Sequence, residues 1–74
     1  MTILTKRDKL ELITSHQRSL EYSKYGLELD ILQENAKSAP NQEEVSRLEN
    51  LVDETDKQLT ALGAERVSVE AIVE

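Results

Sequence analysis

Val45, Leu48, Val52, Thr55, Leu59 and Leu62 recur at alternating three- and four-residue intervals, and Leu51 widens the stripe. That is the a/d spacing of a coiled coil, and a helix carrying it has an apolar seam that another helix must cover. Most helical stability in proteins comes from packing such a face rather than from intrinsic propensity. The seam therefore demands a partner, from the same chain or from another.

The chain's single proline indicates where a partner helix would lie. Pro40 biases the residue before it away from the helical region and lacks a backbone donor, so Lys37-Ser38-Ala39-Pro40-Asn41 is a break. After it, Asn41 can cap a new helix, and Glu44 stands three residues on, as a capping box requires. Glu43 and Glu44 also suit the positive end of the helix dipole. Gly63 follows Leu62 and suits a left-handed C-terminal cap. The second helix is predicted over about 41–62. Before the turn at 38–41, Thr5 and Asp8 open a first helix over about 5–37 with a hydroxyl at the cap and an acid three residues on. Gly26 lies inside it, as a point of close packing, a bend, or a tolerated glycine that costs about 1 kcal/mol relative to alanine. The tail, 63–74, is ambiguous. Val67, Val69, Ala71 and Val73 alternate as in a strand, while Ser68 suits the cap of a short helix from Val69 to Val73. A short helix or irregular tail docked on the bundle is expected. The fold class that follows is all-α, a single coiled-coil-like antiparallel helical hairpin over 1–74 that oligomerises into a helix bundle.

The first helix carries two apolar faces. Leu10, Ile13, Leu20, Leu27 and Ile31 cluster on one side, and Tyr22, Tyr25, Leu29, Leu32 and Ala36 fall nearly opposite at about 100° per residue. The second helix can cover only one of them. Placing Leu32 near Val45, Leu29 near Leu48 and Tyr25 near Val52 would leave Ile13, Leu20, Leu27 and Ile31 for another chain; the reverse assignment is the alternative. Leu20, Tyr22, Tyr25, Leu27, Leu29, Ile31 and Leu32 are thus the candidate protein-interface residues, with the tyrosines as rigid anchors.

Composition points the same way. Seventy-four residues without cysteine, tryptophan or phenylalanine must build a core from Leu, Ile and Val. Chains this small usually need a disulfide, a metal or a partner subunit, and only the last is easily available here. The net charge is −6, which argues against nucleic acid as a partner. Residues 1–20 carry a net +2 and residues 41–74 a net −6, so an antiparallel pairing lays a basic start along an acidic end. This either specifies the fold or a partner, or leaves two solvated faces whose ion pairs contribute only about 0–1 kcal/mol each. There is no run of about 18 apolar residues to span a membrane, and Met1 to Arg7 lacks the apolar core of a secretory signal.

The search for chemistry finds little. His16 is the only histidine, and its neighbours one turn away, Leu12 and Leu20, supply no acid or co-ligand. Glu49, Asp53 and Asp56 form a row on the second helix, and Glu28 stands one turn from Lys24, but no Glu-x-x-His pair suggests a di-metal bundle. No serine sits in a Gly-x-Ser-x-Gly turn, and Gly26 and Gly63 alone cannot make a phosphate loop. The expectation is a protein that is not an enzyme, with no cofactor, metal, nucleic acid, membrane or small-molecule substrate. Its expected partners are itself, as a homodimer or homotrimer, or another protein.

The opening Thr5-Lys6-Arg7-Asp8-Lys9-Leu10-Glu11-Leu12-Ile13, the stretch Leu20-Glu21-Tyr22-Ser23-Lys24-Tyr25-Gly26-Leu27-Glu28-Leu29, and Glu34-Asn35-Ala36 before the Pro-Asn turn resemble small helical proteins of tailed bacteriophages, especially those of marine cyanobacteria. Leu62-Gly63 followed by Val69-Glu70-Ala71-Ile72-Val73-Glu74 is similar in layout to the end of the coiled-coil chaperone of T-even-type tail-fibre assembly. These resemblances imply a virion component or an assembly helper, located in the host cytoplasm or the virion, and supply no catalytic residue. Read together, the sequence predicts a structural or interaction protein working through helix–helix contact. The alternative is a small acidic assembly chaperone or inhibitor that docks on a basic partner.

Overall fold

Thr5 opens the first helix with a complete capping box: its hydroxyl accepts from the Asp8 backbone N–H, and its own N–H donates to the Asp8 carboxylate. From there α1 runs Lys6–Asn35 in the computed structural model, which describes residues 3–73. Thirty residues make a rod roughly 45 Å long at 1.5 Å per residue. It stops at Ala36, ahead of the Ser38-Ala39-Pro40 turn. Asn41 then caps α2, Gln42–Glu70, its side-chain oxygen accepting from the Glu43 and Glu44 N–H groups. The two helices pack antiparallel into a hairpin measuring 57 × 19 × 15 Å, an all-α molecule with no strand among the described residues.

Three side chains crossing between the helices set the register. Lys6 Nζ donates to the Glu70 and Ile72 carbonyls at 2.8 and 3.0 Å. Arg66 reaches Thr14 and Gln17, and Lys24 pairs with Asp56 at 2.8 Å. In this register Leu10 stands opposite Val69, Leu20 opposite Leu59, Leu27 opposite Val52 and Ile31 opposite Leu48. The inner face of α1 therefore follows its own unbroken heptad through Ile13, Gln17, Leu20, Lys24, Leu27, Ile31 and Glu34, every member buried or half-buried. On α2 the predicted run Val45 to Leu62 is the inner face and continues through Arg66 to Val69.

Three expectations are corrected here. First, the faces of α1 are reversed: the Ile13, Leu20, Leu27 and Ile31 side turns to α2, while Tyr22, Tyr25, Leu29 and Leu32 point away from it. The inner side runs the whole length of α1 and can match the long seam of α2, whereas the Tyr22 side covers only the half near the turn. Second, Gly63 does not end α2. It has no positive φ and sits inside the helix, which gains eight residues beyond Leu62 because Arg66 and Val69 prolong the seam. The residues read as a docked tail or strand are mostly helix, with Val69 3% exposed and Val67 67% exposed, a period no strand would show. Met1, Thr2 and Glu74, which belong to the predicted leader-free start and tail, lie outside the described residues. Third, Glu44 does not complete a capping box. It turns to Arg47, and the Asn41 N–H donates instead to Glu34 across the turn.

The core is thin. Ile13, Val45, Leu48 and Val69 are its buried apolar members, and no side chain is less than 2% exposed among the described residues. Two helices touch along a line and cannot enclose one another, so Leu20, Leu27, Ile31, Val52, Leu59 and Leu62 remain half-covered.

A Cβ built on Gly63 would meet nothing within 4 Å, so this glycine buys no contact inside the hairpin. Gly63→Ala is expected to stabilise the fold by about 1 kcal/mol, measured as a higher midpoint in urea unfolding followed by circular dichroism; a loss of stability would place an unseen contact there.

Candidate interaction surface

The outward side of α1 is where unsatisfied apolar surface collects. Tyr22, Tyr25, Leu29 and Leu32 are 74%, 61%, 39% and 65% exposed. They belong to a second heptad, Arg18-Tyr22-Tyr25-Leu29-Leu32-Ala36, all six exposed and lying opposite the seam. Scattered exposed leucines need no explanation, but a contiguous stripe flanked by polar residues marks an interaction site. Arg18, Glu21, Tyr22 and Tyr25 line a shallow recess at its upper end. The sequence face was drawn from Tyr22 onward. Arg18 is its polar continuation, legible in the same spacing but passed over because apolar residues alone were counted.

Of the seven residues named as interface candidates, the structure places four, Tyr22, Tyr25, Leu29 and Leu32, together on this stripe. The other three, Leu20, Leu27 and Ile31, are half-buried on the α2 side. They hold the hairpin together and do not share a surface with the tyrosines.

Beside the seam runs an acidic flank. Lys24 reaches out of the seam to Asp56, and the hydrogen bond it donates to Asp56, followed by the charge of Asp56 and of the more distant Glu28 and Glu21, raises the lysine above its ordinary pKa. The sequence paired Lys24 with Glu28; the structure instead uses it to tie the helices. Arg7–Glu11, Arg47–Glu44 and Arg66–Glu70 pair within a helix, and most charged side chains of the basic start and acidic end are exposed. Glu43, Glu49, Asp53, Glu54 and Glu65 are exposed on α2.

At the turn, Glu34 is 8% exposed and accepts from Lys37 Nζ at 3.1 Å and from the Asn41 N–H at 3.4 Å. It joins the end of α1 to the cap of α2. Nearby, hydrogen bonding to Arg47 holds the Glu44 carboxyl below its ordinary value.

His16 is exposed on α1. Among the described residues no group of three or more His, Cys, Asp or Glu side chains stands together to hold a metal ion. No helix among them is long and apolar enough to cross a membrane. No family model, curated protein or solved structure matches this chain.

Two outcomes test this geometry. Glu34→Ala leaves the Asn41 amide to water and is expected to destabilise the hairpin by about 0.5–1.5 kcal/mol in denaturant titration. Glu44 contributes through a depressed pKa, so its contribution is present above the unfolded-state value and lost as pH falls through the folded one. Glu44→Gln should therefore be less stable than the parent at neutral pH, with the gap narrowing in acid below the ordinary carboxylate range, as read by thermal unfolding at both pH values.

Proposed function

We propose that this protein works by helix–helix contact, as a structural or interaction component that presents the outward stripe of α1 to another helix. The single observation that carries the reading is the unpartnered Tyr22-Tyr25-Leu29-Leu32 stripe on a hairpin whose own core is thin. A coiled coil with apolar residues on both sides of one helix gains stability by adding helices to the open side. The partner is the chain itself, as a dimer or trimer, or a helix of another protein. The resemblance of its opening and central segments to small tailed-phage proteins makes a phage virion or an infected host cytoplasm the setting we propose.

A second reading has its own support. The exposed acids Glu43, Glu49, Asp53 and Glu54 of α2 suit an assembly chaperone or inhibitor that docks on a basic partner, and such binding weakens steeply with salt.

Sedimentation velocity across the micromolar range tests the first. Assembly should grow with concentration, and Leu32→Asp, which puts a charge on the stripe but not in the seam, should leave a helical monomer. A parent chain that stays monomeric and fully helical throughout overturns the reading. Assembly that ignores Leu32→Asp while responding to salt favours the acidic-docking alternative.

A further inference from the structure

The outward stripe has the palindromic spacing of an alternating four-three heptad run, and its midpoint falls at Leu27. Arg18, Tyr22, Tyr25, Leu29, Leu32 and Ala36 are spaced identically read in either direction about Leu27. Two copies laid antiparallel with Leu27 at a common level bring Tyr25 of each against Leu29 of the other. Tyr22 then meets Leu32, and Arg18 meets Ala36. We propose that the stripe is covered by a second copy of this chain in that antiparallel register, about a two-fold axis level with Leu27. The proposal rests on the interaction reading above and names its partner.

Self-complementarity is what an isologous interface requires, since each patch must be its own partner. Three further features fit. The first is area: with their observed exposures, the two tyrosines and two leucines offer on the order of 500 Å² per copy, about 1,000 Å² in all, the size at which specific interfaces begin.

The second is charge. The last turn of α1 carries no basic residue to face its carbonyl end. Arg18, exposed and without an ion pair among the described residues, arrives in this register beside Ala36 of the other copy, at that negative end.

The third is Gly26. It weakens the middle of α1, and a Cβ on it would meet nothing within 4 Å inside the hairpin. In the proposed pairing Gly26 flanks the two-fold axis and faces Gly26 of the other copy, where a missing side chain lets the backbones approach. On the opposite flank Glu28 faces its own counterpart, a like-charge contact that Lys24, one turn back, moderates.

The pairing is read by cross-linking. The chain has no cysteine, so single-cysteine variants report position cleanly. In a mixture, Ser19→Cys and Gln33→Cys should join through a short bismaleimide. Neither should join to itself, since at 1.5 Å per residue the two Ser19 positions lie roughly 24 Å apart along the axis and the two Gln33 positions roughly 18 Å. Gly26→Leu should keep the helical content and weaken association tenfold or more, and Glu28→Gln should tighten it several-fold. Ala36→Cys linking to itself would show parallel pairing and overturn the register. Stripe-dependent assembly without the Ser19–Gln33 link, with Gly26→Leu neutral, or with Glu28→Gln neutral or weakening, would likewise overturn it, while leaving the interaction reading intact. A parent chain that never assembles would overturn both.

Discussion

Between α1 and α2 the seam is polar at several of its levels. Gln17, Lys24, Glu34, Thr55 and Arg66 all occupy heptad positions that an idealised coiled coil fills with leucine or valine. Each resolves its polarity locally. Thr55 is buried and donates to the Leu51 carbonyl within its own helix. Lys24, Glu34 and Arg66 extend past the seam edge to Asp56, to the turn, and to Thr14 and Gln17. Among the described residues no buried side-chain polar atom lacks a partner. A hairpin so built gives up apolar burial, yet the contacts of Lys24 with Asp56 and of Arg66 with Thr14 and Gln17 are possible only in one register. A slip of one heptad would strand Lys24 and Arg66 at once. The polar levels thus specify which antiparallel alignment forms, while the few buried leucines, isoleucine and valines make some alignment favourable.

This division explains why the molecule retains so much apolar exterior. If the seam gives several of its levels to specificity, stability must come from elsewhere, and a chain without cysteine, with no metal-holding cluster among the described residues, has few other sources. Covering the Tyr22 stripe is the most direct one. Association that buries it would couple folding to concentration, as mass action requires for any state that binds only when folded. Under the proposed association, the face turned away from α2 would become part of the fold.

Much of the fold was legible because its signals are local and of one period. The Val45 to Leu62 heptad, the Thr5–Asp8 box, Pro40 and Asn41 each act over a few residues, and each stands where the pattern placed it. Two misreadings share a cause. Gly63 reads as a stop because glycine commonly serves that role, yet the seam beyond it, carried by Arg66 and Val69, outweighs one residue's propensity. The hidden continuation was an arginine at an a position, which an apolar count does not register. The same blindness left Arg18 off the outward stripe. As for the two faces of α1, composition does not rank them, since each offers five apolar residues. Length decided it: only the Ile13–Ile31 side extends far enough to match α2 along its whole seam.

The turn shows how tertiary structure displaced a local rule. A capping box would have closed α2 from within, through Glu44 reaching back to Asn41. Glu34, the last member of the inner heptad of α1, accepts from the Asn41 amide and leaves Glu44 to Arg47. The amide is satisfied either way, so a local count of hydrogen bonds cannot distinguish the two arrangements. What differs is linkage: the Asn41 side chain caps α2 in either case, but a box would satisfy the Asn41 amide from within α2, whereas the Glu34 contact satisfies it from the end of α1. The second arrangement thus ties the start of α2 to the end of α1 by a hydrogen bond that neither helix could make alone.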